Sequence, residues 1–580
     1  MGLKRPRLIL LILVVALAAT ATVIAVSGGF RTTVGGFRVS MRSPLAASIG
    51  GLLVAGAWLV LARRAQAVTA DLEASWQFLE RHASRFIGGV ALIAAIVAAT
   101  FATRSAAGAD ASGYLSQAKS TSGIMPPIYI EQIAEGAPEL DGWITTPLGW
   151  RPGSDAALCD VLCDGLQVPT YPPGLPLLMA LPHSLAGVDG ANAVVVASTA
   201  AAVWATGMIV GGVSGVLAAV LLAGAPVFLY QSIQPMSDVP VTAAWMLTFL
   251  LIVRGGAPVR TAIAGLVCGL AVLIRPNLAP LAIVPFLVSG HKTWFALPVG
   301  LAGAFLAFTN WFLYGSPLRS GYGEASELFA LANTVPNLQR YFGWLVATSP
   351  VLLLAPVGLV RLADDRRARG MAAFASLVVV AYLVYATFDQ WSYLRFLLPA
   401  MAVFAVLSAV ALAGWVERSP VAWRGPMIVV LVLAVAAHGA FVARARDTFT
   451  LADQLRRVEQ AADFIAKYGG GAENPAVISG EQSGAIRYYT RQPIIRWEAT
   501  SPEAMRTALG AIERSGHTPY IALDAWEQEL FLKKFASIAE LQLDWPPMLE
   551  AGSSHRTKVW RTSDRARFLA GTQLETVRLP

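Results

Sequence analysis

Apolar runs of about 18 or more residues recur along much of this chain, and each is long enough to cross the hydrocarbon core of a bilayer as a helix. No water is available there to pair backbone N–H and C=O groups. A chain made of such runs therefore folds as a helix bundle whose hydrogen bonds close within each segment. Composition agrees: the 580 residues are 56% hydrophobic and only 14% charged, against roughly 25% charged in soluble proteins. The expected spans are 8–27, 45–62, 86–103, 191–209, 213–230, 238–253, 260–274, 277–290, 294–314, 343–360, 371–388, 396–416 and 426–443, about 13 in all. Arg275-Pro276-Asn277 interrupts the two short runs around it, and proline disfavours helix at the residue before it. The first run, Leu8 to Val26, follows Lys4, Arg5 and Arg7. It exceeds the apolar core of a signal peptide, roughly 7–15 residues, and reads as a retained first span.

Charge orients the bundle. Lys4, Arg5, Arg7, Arg63, Arg64, Arg254, Arg260, His291, Lys292 and the basic residues of segment 361–369 fall on one side in this topology. That side is expected to be the cytoplasm. The loop 104–170 falls on the other side and holds eight acidic residues, Asp110, Glu131, Glu135, Glu139, Asp141, Asp155, Asp160 and Asp164, against Arg104, Lys119 and Arg151. Arg31, Arg38 and Arg42 are exceptions on the outer side. The net charge of +8 follows from such basic loops and does not point to nucleic acid. An odd number of spans leaves residues 444–580 outside, with the N-terminus in the cytoplasm. This tail has charges throughout and no spanning run. Val477-Ile478-Ser479, Pro493-Ile494-Ile495 and Tyr520-Ile521-Ala522-Leu523 read as strands, and 501–515 and 526–537 as helices, with Ser501-Pro502 as a helix start. The expected fold class is mainly α: a polytopic transmembrane helix bundle, residues 1–443, with a small extracytoplasmic α/β domain, residues 444–580.

The unusual polar motifs gather on the outer side. Asp110 follows the third run, in Gly108-Ala109-Asp110-Ala111-Ser112-Gly113-Tyr114. Tyr171-Pro172-Pro173-Gly174 lies near the end of the large loop. Asp238 stands in Gln234-Pro235-Met236-Ser237-Asp238-Val239-Pro240, and Arg275 in the break already noted. The segment 310–323 brings Arg319 and Tyr322, and Asp389-Gln390-Trp391-Ser392-Tyr393-Leu394-Arg395-Phe396 brings Tyr393 and Arg395. Each has a plainer reading. Asp110 alone is a solvated loop acid. Asp238 is a cap for the helix starting near Val239. The Pro-rich segment is a turn that seats a short helix, Arg275 a snorkelling cation, and the aromatic residues an interfacial belt. Cys159 and Cys163 have the spacing of an optional pair in an oxidising compartment, Cys268 reads as packing and His183 as structural. Taken together, the motifs suit transfer of a sugar from a lipid phosphate. Guanidinium forks of Arg275, Arg319 and Arg395 match phosphate, a carboxylate at Asp110 takes the proton of an acceptor hydroxyl, and aromatic faces pack on a sugar or a prenyl chain.

The order of these motifs resembles the GT-C membrane glycosyltransferases, in particular their protein O-mannosyltransferase and lipid A aminoarabinose transferase branch. The resemblance spans roughly residues 86–416. It implies that Asp110 is the catalytic acid that opens the first large outer loop, with Tyr114 following it. It also implies that Tyr171 with its two prolines is the family's Tyr-Pro-Pro-like segment, and that Asp238 is the acid at the start of a later helix. Arg275 and Arg395 become the expected phosphate contacts. The implied reaction moves a sugar from a polyprenyl-phosphate donor to an unknown glycan, lipid or protein acceptor, with no cofactor. Two departures stand out. Two spans precede the one that leads to Asp110, where family members usually have that acid after their first. Ala111 follows Asp110 where the family usually has an acidic pair, so no metal is expected. A transporter or lipid flippase is the alternative reading, and a non-catalytic scaffold a third. Transporters place ionisable residues near the bilayer midplane and often show repeated halves, whereas these motifs cluster at one face and no internal repeat is visible.

Overall fold

The computed structural model describes residues 5–27, 30–34, 37–41, 43–120, 128–133, 137, 139–159, 163–467 and 474–580. Lys4, Arg42, Glu135 and Asp160 fall outside the described residues, and the side chains of Arg5, Arg31 and Arg38 are likewise not described. The chain is mainly helical, and each expected span falls on an apolar helix. The count differs. Among the described residues six helices are long and apolar enough to cross a membrane, or eight if each of two bent pairs is one span, against about 13 expected. Proline accounts for much of the difference, because it removes a helix donor and clashes with the preceding turn. Gly212–Ala223 and Pro226–Ser232 meet at 67°, and Leu331–Thr348 meets Pro350–Arg361 at 110°. The expected span 277–290 is a 3-10 helix, Pro276–Ala282, running into a six-residue α-helix, Ile283–Val288. Asp238–Arg254 and Pro258–Ile274 are 17 residues each. The expected span 191–209 is the second part of Gly174–Val210, which kinks at Ala186 and Gly187.

The described part of loop 104–170 carries secondary structure of its own. It contains the helix Ala109–Ser120 and a three-stranded antiparallel sheet made by Tyr129–Ile130, Leu166–Pro169 and Trp150–Pro152. Cys159 and Cys163 are disulfide-bonded, the option that the spacing had left open.

The C-terminal residues form a six-stranded sheet in the order Val577–Leu579, Leu549–Ala551, Thr557–Arg561, Thr518–Asp524, Pro475–Ser479, Ile494–Arg496. The three strands expected from sequence pair in parallel at its centre and one edge. Thr557–Arg561 adds antiparallel to them. The helices Pro502–Arg514 and Glu527–Lys534 match the expected pair, and the Ser501 hydroxyl accepts from the Ala504 amide as the start signal implied. One face of this sheet is covered partly by loop 104–170: Ile133, Leu140 and Ile144 share a core with Ile478, Ile495 and Trp497. Loop and tail are thus packed together over the bundle, so residues from both reach the same place.

Candidate active site

Two close backbone approaches assemble the site. Gly174 opens its helix directly against the end of Pro258–Ile274, where an added Cβ would lie 2.5 Å from the Ile274 nitrogen. This sets Tyr171-Pro172-Pro173 beside the break at Arg275. Arg275 ends its helix with extended backbone, φ −142° and ψ 82°, as the following proline dictates, and its side chain turns inward, 8% exposed. The second approach is at Gly113, on the helix that carries Asp110. An added Cβ there would lie 2.2 Å from Cε2 of Tyr171 and 3.0 Å from Cα of Gly149. Only glycine lets the Tyr171 ring lie on that helix.

The Tyr171 hydroxyl donates to Oδ1 of Asp110 at 2.7 Å, and Arg395 donates to Oδ2 at 2.7 Å. Arg275 donates to Oδ1 of Asp238 at 2.5 Å, and Arg395 reaches toward Oδ2 of Asp238 at 3.9 Å. Two carboxylates and two guanidiniums therefore alternate in one chain, Asp110–Arg395–Asp238–Arg275. Phe396 separates the cations: its ring has Arg275 at 5.6 Å and Arg395 at 5.3 Å, and it stacks on Tyr382 at 5.0 Å. Tyr382 also accepts from Asn277 at 2.9 Å. Tyr114 packs on Tyr171 with ring centroids 4.5 Å apart and lies beside Ser237, while Tyr322 meets Tyr171 edge to face at 5.8 Å. Tyr393 stacks on Phe388 at 4.0 Å and lies under the Arg395 guanidinium at 5.0 Å.

Eight of the nine site residues expected from sequence meet here: Asp110, Tyr114, Tyr171, Asp238, Arg275, Tyr322, Tyr393 and Arg395. Arg319 does not join them. It pairs with Asp155 at 2.5 Å and with Glu324 at 2.9 Å, because Gly315 and the turn after it bring it over the Asp155 segment of the loop. The capping alternative for Asp238 fails: the helix begins at Asp238 itself without a side-chain cap, and the fully buried carboxylate faces Arg275 instead. His183 bonds the Tyr488 hydroxyl at 2.7 Å, a structural tie between bundle and tail. Sequence reasoning did not single out Tyr382 or Ser237, nor Glu481 and Gln482 at the turn after strand Pro475–Ser479. A strand that ends in a polar turn opening a helix was the available signal for the last two.

Electrostatics follow from this arrangement. Burial raises the proton affinity of Asp110, but the Arg395 charge and the hydrogen bonds from Tyr171 and Arg395 outweigh it and hold the carboxyl below its ordinary range. Burial first, and then the Asp110 charge, push the Tyr171 and Tyr114 hydroxyls upward, so both are neutral donors at physiological pH. Asp110 keeps a third of its side chain exposed, so it is both held and accessible. The Nε of Arg395 and Oδ2 of Asp238 are buried without a hydrogen-bond partner, which leaves Arg395 an unused donor. Among the described residues no group of three or more His, Cys, Asp or Glu side chains is arranged to hold a metal ion.

Replacing Gly113 by alanine tests the packing of Tyr171 on the Asp110 helix. Helix propensity alone favours alanine by about 1 kcal/mol. The new methyl must nevertheless displace the Tyr171 ring and with it the bond to Asp110. Transfer activity is expected to fall roughly 10²-fold, the scale of a misplacement of about 1 Å, while thermal stability changes little. A wild-type rate in this variant removes the Tyr171–Asp110 bond from the working geometry.

The site is that of a membrane protein that holds a carboxylate between guanidiniums and tyrosines at the mouth of a helix bundle. Residues 170–313 match the family described as Dolichyl-phosphate-mannose-protein mannosyltransferase. The match takes in Tyr171, Asp238 and Arg275 and bears out the resemblance to that branch over its length. Among solved structures, the chain is similar to ArnT from Cupriavidus metallidurans bound to undecaprenyl phosphate. The identity there is 14%, the coverage 82% of this chain and 97% of that chain, and the TM-score 0.48. It is also similar to the Archaeoglobus fulgidus oligosaccharyltransferase in the apo form, at 12% identity, 76% and 70% coverage and a TM-score of 0.45. Among curated proteins none matches the sequence.

Proposed function

We propose that this protein is an inverting glycosyltransferase that moves a hexosyl or pentosyl unit from a polyprenyl-phosphate donor to an acceptor outside the cytoplasm. The observation that carries the reading is the convergence of Asp110, Arg395, Asp238 and Arg275 from four separate stretches of sequence. The match of residues 170–313 to a dolichyl-phosphate-mannose-dependent family supports the donor class. An apolar groove beside Tyr171, lined by Pro172, Pro173, Leu177, Pro276, Leu306 and Leu313, offers a prenyl chain a surface that leads to the site.

The reaction follows from charge. Donor phosphate draws Arg395 from Asp110 through its guanidinium fork. The freed carboxylate gains proton affinity and accepts the proton of an acceptor hydroxyl. The acceptor oxygen forms its bond to the anomeric carbon as the carbon–phosphate oxygen bond breaks, and the leaving electron pair resides on the lipid phosphate. Arg395, preorganised by Phe396 and Tyr393, stabilises that growing charge. Tyr171 and Tyr114 orient Asp110, and Tyr322 and Tyr393 supply faces for the sugar. In this reading residues 1–443 form the transferase bundle and residues 444–580 an outer domain, with the N-terminus in the cytoplasm.

The test is a transfer assay in membranes with a panel of radiolabelled polyprenyl-phosphate hexoses and pentoses, run beside a solute and lipid flux assay. Labelled glycan in the envelope fraction is the expected result. Flux without product makes the protein a transporter or flippase, and neither activity overturns the enzymatic reading. Arg395→Ala is expected to raise the donor KM about tenfold or more, since a charge-assisted contact of this kind contributes roughly 1.5–3 kcal/mol; an unchanged donor KM takes Arg395 out of the clamp.

A further inference from the structure

The helix that carries Asp110 does not complete its own N-terminus. The first amides of a helix have no intrahelical acceptor, and here the tail supplies them. The Gly108 amide donates to Oε1 of Gln482 at 3.2 Å, and the Glu481 carboxylate lies beside the Ala109 amide. Gln482 is itself fixed: its Nε2 donates to Oδ2 of Asp524 at 3.0 Å, and Asp524 is held by Arg457 at 3.0 Å and Thr557 at 2.5 Å. The Glu481 amide donates to Oε1 of the fully buried Glu527 at 3.1 Å. Neighbouring ties run the same way: Leu148 to the Ser483 hydroxyl at 3.1 Å, and Ala106 to the Tyr489 hydroxyl at 2.7 Å. The turn that begins where strand Pro475–Ser479 ends therefore grips the residues on the N-terminal side of Asp110.

We propose that Glu481 and Gln482 are positioning residues for Asp110: Gln482 fixes the backbone that aims the carboxylate, and Glu481, its amide anchored on Glu527, sets a second carboxylate beside the same helix start. The inference rests on the glycosyltransferase reading with Asp110 as base. The groups that face Glu481 are Asp110 on the loop helix, Tyr393 on the turn that opens with Trp391, Arg496 at the end of strand Ile494–Arg496 with Glu498 after it, and Asp524 at the end of strand Thr518–Asp524 with Glu527 after it. Burial first, then Glu498, Asp110 and Asp524, raise the Glu481 carboxyl above its ordinary value. As pH falls through that raised value, Glu481 takes up a proton, its charge disappears, and Asp110 becomes a poorer base. The wild-type rate is thus expected to fall on the acid side earlier than an ordinary carboxylate would make it.

The two roles separate by substitution. Glu481→Gln keeps an oxygen for the Ala109 amide and loses the charge. Gln482→Ala keeps the charge and loses the grip on Gly108. The full-length protein in membranes is assayed with whichever polyprenyl-phosphate sugar of the panel gives wild-type product, and its melting is followed in parallel. Gln482→Ala is expected to lower kcat roughly 10²-fold with donor KM and the acid limb unchanged. Glu481→Gln is expected to lower kcat and to lose that acid limb. Wild-type kcat and pH profile in both variants overturn the proposal and leave the transferase reading standing, as does a loss of rate explained wholly by a smaller folded fraction. Absence of product from the wild type with every donor overturns both.

Discussion

Asp110→Asn is expected to lower sugar transfer by about 10²–10⁴-fold, the usual contribution of a positioned general base, while expression and melting stay near wild type. Asparagine keeps an oxygen for the Tyr171 hydroxyl, which now meets Oδ1 at 2.7 Å. Its amide cannot accept a proton from an acceptor hydroxyl, and its NH2 group faces Arg395, itself a donor with no acceptor capacity. The variant therefore keeps the shape of the site and loses both its basicity and its hold on Arg395. Donor binding is expected to persist or tighten, because Arg395 no longer has to leave a carboxylate to meet a phosphate. The measurement is the initial rate of labelled product per folded molecule. Transfer within a few-fold of wild type rejects Asp110 as the base.

Arg275→Ala is expected to act on stability rather than on chemistry. Asp238 is fully buried and Arg275 8% exposed, and their ion pair spans 2.5 Å. Removing one partner of a buried pair leaves an uncompensated charge, a loss of about 3–5 kcal/mol. Arg395, 3.9 Å from the other Asp238 oxygen, offsets part of that. Replacing both residues together, as Asp238→Leu with Arg275→Met, removes both charges and should recover most of the lost stability, since hydrophobic replacement of a buried pair is often neutral. Thermal unfolding of the purified protein in detergent measures both. An Arg275→Ala protein that melts like wild type shows that Asp238 is not carried as a buried charge. If Arg275 is chiefly a phosphate ligand, as the sequence resemblance implies, its loss raises donor KM at constant stability, so the two readouts distinguish the roles.

The fold was legible wherever periodicity is a local property. Apolar runs marked the helices, and the alternation of Val477-Ile478-Ser479 with later helical stretches marked the parallel part of the tail. The strands Leu549–Ala551 and Val577–Leu579 were not legible, being three residues each and too short to show a pattern. Span lengths were misjudged for a different reason. A helix surrounded by other helices needs no full-length apolar face of its own, so the 17-residue Asp238–Arg254 stands where a full span was expected, and prolines bend other segments.

Part of the site was legible because its chemistry is carried by rare residues in an apolar chain. Asp110, Asp238, Arg275 and Arg395 are costly in a membrane protein, and such residues are kept where they pair or act. Arg319 has the same character and went elsewhere, because Asp155 and Glu324 offer it carboxylates at the surface. Composition cannot rank one acidic partner above another. Tyr382 lies inside the expected span 371–388, where nothing local marks it; only the fold stacks it on Phe396.

What the amino-acid order determined alone is the helical bundle, the mixed α/β tail and the inventory of charges at one end, since these depend on spacing over a few turns. What only the tertiary structure decided is which charge meets which. Asp110 lies between Tyr171 and Arg395, and the start of its helix is tied to Gln482, more than three hundred residues further along. Short-range pattern carries no information about such pairings, because they arise from the packing of whole helices and of the tail upon the loop.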